Sequence, residues 1–147
     1  MQTSRGSTLK GVITISLMVV NVVFWVPILL VVALAKLLIP LAAWRRWTSA
    51  LMIWIAQAWI SCNGAIFSLM GALRLEVDGV EGLDPRSWYL VLSNHRSWVD
   101  ILVLQQAFNR RIPFLKFFLK QELIWVPFLG LAWWALDFPF MKRHSAT

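Results

Sequence analysis

The sequence predicts an α/β protein in two parts: an N-terminal membrane helical hairpin over residues 1–72, then the first part of an α/β domain over residues 73–147. Three observations lead there. Of the 147 residues, 59% are apolar and ten are tryptophan, well above the roughly 45–50% apolar content of soluble domains. The net charge of +7 is uneven: Arg5, Lys10, Lys36, Arg45 and Arg46 stand in an acid-free first half, and every Asp and Glu follows from Glu76. At Leu73 the periodicity changes from long apolar runs to short alternating ones.

Residues 12–40 are almost wholly apolar, broken by Asn21 and Lys36. As one helix they would span about 43 Å, more than the roughly 30 Å hydrocarbon layer, and Pro27 should kink that helix or divide it. The run is too long for a signal-peptide core. Trp44-Arg45-Arg46-Trp47 reads as a turn at headgroup level, two indoles bracketing two charges. A second apolar run, residues 48–71, is also long enough to span. Gln57, Asn63 and Gly64 dilute it, and its polar residues are expected to face the first helix, where interhelical hydrogen bonds satisfy them. Bases flank the first run at both ends, so charge gives no clean vote on orientation. Two full crossings and a kinked hairpin dipping into one leaflet both return the chain to the side of its N-terminus, taken as cytoplasmic. The basic half suits an anionic membrane surface. Nucleic acid is the poorer match, because no basic stripe interleaves with a binding module. The single cysteine, Cys62, excludes an intrachain disulfide.

Beyond residue 72, Leu73-Arg74-Leu75-Glu76-Val77-Asp78 alternates as a half-buried strand does. Gly79, Gly82 and Asp84-Pro85 are turn residues. Trp88-Tyr89-Leu90-Val91-Leu92 is a short continuous run suited to an interior strand. A helix is predicted from near Ser97 through Phe108, a strand start over residues 112–115, a helix over residues 120–135 and a strand over residues 138–141. Such alternation implies crossover connections.

The sharpest local feature is Ser93-Asn94-His95-Arg96-Ser97-Trp98-Val99-Asp100. With Ser97 as N-cap, His95 lies in the preceding loop and Asp100 at N3, where a carboxylate points back toward that loop. Asp100 could then accept a hydrogen bond from one imidazole nitrogen and leave the other as a base. Equally, Asp100 could only cap the helix and His95 be an ordinary turn residue. One His with one Asp is too few for a zinc site.

Asn94-His95 followed by Asp100 resembles the N-H-x-x-x-x-D signature of the glycerophospholipid acyltransferases, which include the 1-acylglycerol-3-phosphate acyltransferases. Lys120-Gln121-Glu122-Leu123, then Pro127 and Gly130, then Phe138-Pro139-Phe140-Met141-Lys142-Arg143, resemble the family's second block. Residues 88–143 are most similar to inner-membrane members from gamma-proteobacteria. The resemblance implies an O-acyltransferase without metal or other cofactor. His95 would be the general base and Asp100 its orienting partner, with Arg143, Asn94 and Lys120 binding substrate. It further implies an acyl-CoA or acyl-carrier-protein donor, a lysophospholipid acceptor, contact with membrane lipids, and an inner-membrane location with the catalytic part facing the cytoplasm. Asp137 departs from the pattern, which often has Gly there. The third block, Glu-Gly-x-Arg, does not occur, so the chain is expected to be truncated after the second block. The alternatives are a hydrolase using the same His–Asp pair on water, and a non-catalytic membrane-anchored fragment or assembly subunit.

Overall fold

The computed structural model describes residues 2–94 and 96–142, with side chains from residue 7 onward. It is mostly helical. Helix α1 spans Gln2–Leu38 and α2 spans Ala42–Met70. Helix α3, Trp98–Phe108, follows a long irregular stretch. Strand β1 (Leu119–Lys120), a 3-10 helix (Gln121–Trp125), α4 (Leu129–Ala135) and β2 (Phe140–Met141) complete the order.

Helix α1 runs through Pro27 without ending there, so the expected division does not occur. It stops instead before Pro40, which has no N–H and holds its predecessor in extended backbone. The Ala35 carbonyl, left unpaired by the helix end, accepts the Trp44 indole N–H at 2.9 Å. The Trp-Arg-Arg-Trp segment is therefore not the turn that was expected. It forms the first turns of α2, and residues 39–41 make the connection. The segments Ser7–Leu38 and Ala42–Met70, with mean hydropathy 2.8 and 1.5, are each long and apolar enough to cross a membrane. Most of their surface is exposed: Val12, Val19, Val23, Val31, Leu34 and Trp54 lie in the open. Side chains of that kind belong against lipid, and the chain is a membrane protein by this measure.

Two compact units divide the chain, and each takes part of both long helices. The first holds residues 1–23 and 57–115. Within it Asn21 Nδ2 donates to Asn63 Oδ1 at 2.9 Å and to the Trp59 carbonyl at 3.1 Å. Both asparagines are buried, so the polar residues of the two runs do meet. Helix α3 lies against α2 here: Gln106 Nε2 donates to the Ile60 carbonyl, and Asn109 Nδ2 to Ser61 Oγ at 3.0 Å. A Cβ on Gly64 would strike the Gln106 amide, which explains the glycine.

The second unit holds residues 24–56 and 116–147. Val26, Leu29 and Ala33 on α1 recur at helical spacing and are buried, as are Met52, Ile55 and Ala56 on α2. Strands β1 and β2 pair in parallel, Leu119 opposite Phe140 and Lys120 opposite Met141. The 3-10 helix and α4 form the crossover between them. A single helix over residues 120–135 was expected. Pro127 breaks it, with Val126 held extended and Phe128 at φ 62°, because proline disfavours helical backbone in the residue before it. The Gly130 position is tight, since a Cβ there would collide with the Ile124 carbonyl.

The α/β expectation holds only for this short unit. Among the described residues, segments 73–78, 88–92 and 112–115 form no strand. Trp88 is 97% exposed, and Leu90 and Leu92 are exposed as well, the reverse of an interior strand. A strand needs a neighbour to take up its N–H and C=O groups, and the pattern of one segment cannot supply a partner.

Candidate active site

The loop before α3 is built by its first turn. Ser97 has extended backbone, φ −152° and ψ 164°, and is the N-cap. Asp100 at N3 turns its carboxylate back over the entry. Its Oδ2 accepts the Arg96 N–H at 2.5 Å and the Ser97 N–H at 2.7 Å, and Ser97 Oγ lies 3.4 Å from Oδ1. Hydrogen bonds to a charged acceptor belong to the stronger class. These also satisfy donors that the helix leaves unpaired at its start. Asp100 is thus fixed by backbone rather than by a long flexible partner, and it faces the segment 96–97 directly after His95.

His95 and Arg143 lie outside the described residues. Asn94 is exposed in the irregular stretch leading to α3. Asn94 and Asp100 belong to the first unit. Lys120 belongs to the second, exposed at the end of β1 opposite Met141. Among the described residues no three His, Cys, Asp or Glu side chains gather as a metal site would need.

Two basic clusters were not read from the sequence as binding clefts. Arg110 and Arg111 line an open cleft of about 400 Å³ with Val80, Glu81, Leu83 and Pro85, and Arg110 sits at φ 62°. Lys36, Arg45 and Arg46 line another, of about 530 Å³, with Ser49, Ala50, Ile53 and Asp137. The adjacent arginines in each were the available signal. Without a fold, however, nothing brought Lys36 to Arg45 and Arg46, or Arg110 and Arg111 to residues 80–85.

The Acyltransferase family model matches residues 74–147, and the chain belongs to that family. It is 35% identical over 72 residues to the 1-acyl-sn-glycerol-3-phosphate acyltransferase alpha of Mus musculus. The proteins of that name from Homo sapiens and Bos taurus are likewise 35% identical over 72 residues. Each alignment covers 48% of this chain and 24% of the relative, so the chain spans about a quarter of the length of these relatives. No solved structure matches it.

Proposed function

We propose that this chain provides the membrane hairpin and the His–Asp centre of an O-acyltransferase acting on a lysophospholipid such as 1-acylglycerol-3-phosphate. The observation that carries the reading is the Asp100 carboxylate, held by two backbone N–H groups and turned toward the loop that carries His95. In the proposed reaction one imidazole nitrogen takes the proton from the acceptor hydroxyl as its oxygen attacks the thioester carbonyl of acyl-CoA or acyl-carrier protein. The tetrahedral adduct collapses, the C–S bond breaks, and the leaving thiolate recovers the proton from the imidazolium. Asp100 orients the ring and balances its transient charge. Asn94, Lys120 and Arg143 bind substrate in this reading, and Arg143 offers a guanidinium fork to the acceptor phosphate. The site faces the cytoplasm from the inner membrane, where both acceptor and diacyl product reside.

Two variants test the centre in membranes carrying the protein, supplied with labelled acyl donor and 1-acylglycerol-3-phosphate. His95→Ala should lower transfer by about 10²–10⁴-fold. Asp100→Asn, whose amide can still cap the helix but cannot balance an imidazolium, should also lower it severely. Ordinary rates in either variant would return these residues to a structural duty. Release of free fatty acid without ester would identify water as the acceptor and a hydrolase instead. A third variant tests the acceptor site. Arg143→Ala should raise the acceptor KM by roughly ten- to a hundredfold, the loss of one charged hydrogen bond or more. Arg143→Lys should recover part of this, and the donor KM should barely move. A rise confined to the donor constant would reassign Arg143 to the donor.

A further inference from the structure

The tip of the hairpin gathers more positive charge than the protein balances. Lys36 comes from the last turn of α1, Arg45 and Arg46 from the first turns of α2, and all three line the same open cleft of about 530 Å³. The Lys36 side chain is only 15% exposed, and its nearest acid, Asp137, is 4.0 Å away and 71% exposed. An ion pair so long and so wet holds little. Arg45 and Arg46 have no acidic partner among the described residues. Their place at the start of α2, with no acid in its first turn, sets cations where the helix dipole favours an anion. Three cations facing one distant carboxylate call for a counter-anion.

Its surroundings indicate which one. The Trp44 and Trp47 rings lie 5.3 Å apart, tilted by 33°, beside the arginines, and Trp47 is exposed, the placement of indoles at a membrane–water boundary. The same unit also exposes Phe118, Trp125, Phe128 and Trp134, a surface that suits lipid better than water. We infer that this cleft binds the phosphate of an anionic diacyl phospholipid from the surrounding leaflet, with Lys36 beneath it and Arg45 and Arg46 at its rim. The site uses none of the residues assigned to acyl transfer and stands whether or not that assignment holds.

Native mass spectrometry of the full chain in detergent, offered phosphatidylglycerol and phosphatidylcholine of equal chain length, tests it. Phosphatidylglycerol should be retained in preference by on the order of tenfold, and the preference should shrink as ionic strength rises. Arg45→Gln with Arg46→Gln, both exposed and outside any packing core, should erase the preference, and Lys36→Met should weaken it. Millimolar inorganic phosphate should not displace the lipid. Equal retention of the two lipids by the unaltered protein would overturn the inference, as would a preference surviving the double substitution. Displacement by inorganic phosphate would also overturn it and mark a soluble-anion cleft.

Discussion

At Asp137 the backbone lies at φ 59°, a region most L-residues avoid and Asp tolerates better than most. The reason is the way α4 ends. The Asp137 N–H donates to the Trp134 carbonyl and the Phe138 N–H to the Trp133 carbonyl, both at 3.0 Å, and Phe138 is buried. That is a Schellman closure, which wants a left-handed residue at its centre. Helix α2 closes in the same way with glycine: Gly71 at φ 59° donates to Ser68, and Ala72 donates to Phe67. The glycine that the family resemblance led one to expect at position 137 would thus have a physical cause, and Asp meets the same need at some strain. Asp137→Gly should change stability by no more than about 0.5 kcal/mol, as relief of strain offsets the extra freedom of the unfolded chain. Asp137→Val should cost about 1–2 kcal/mol. Thermal unfolding of the full chain in detergent separates the two, and equal losses would show that the side chain matters rather than the backbone.

Element by element, the sequence was most legible where one segment determines its own conformation. The α3 start at Ser97 and the N3 place of Asp100 follow from local capping chemistry, and both long helices follow from apolar length. The strands were least legible, because pairing belongs to two segments at once: among the described residues only 119–120 and 140–141 found each other. His95 and Asn94 could be picked out through their motif, whereas the Lys36–Arg45–Arg46 cleft needs two helices side by side before it exists. Polar residues inside the hairpin fall between these cases. Thr14 and Thr48 satisfy themselves by donating to the carbonyls four residues back, each at 2.8 Å, but Asn21 needs Asn63. Asn21→Leu should therefore destabilise the hairpin by about 1 kcal/mol, leaving the buried Asn63 amide short of a partner. Adding Asn63→Leu should recover much of that loss, since replacing both polar partners is cheaper than removing one. An additive double mutant would mean that the pair contributes no coupling.

For the molecule as a whole, the ion pair at the hairpin tip bears on how the chain meets the bilayer. Asp137 follows α4 in the segment matched by the Acyltransferase model, yet it reaches Lys36 in the last turn of α1. Among the described residues, no helix after α2 is long and apolar enough to carry the chain back across a membrane. A hairpin with its tip on the far side would part residues 116–142 from residues 24–56, with which they form one compact unit, so the hairpin is expected to lie within one leaflet with both ends of α1 at the same surface. With Cys62 replaced by Ala, Ser7→Cys near the start of α1 and Ala43→Cys at the tip should both react with a membrane-impermeant maleimide added from the same side. Labelling from opposite sides would establish two crossings instead.

The Asn21–Asn63 bond also constrains the order of events during synthesis. Asn21 leaves the ribosome 42 residues before Asn63, and a lone amide in hydrocarbon has nothing to bond with. Helix α1 should therefore partition into lipid more favourably once α2 has arrived to meet it. The pair is expected to favour the two helices settling into lipid together rather than one after the other.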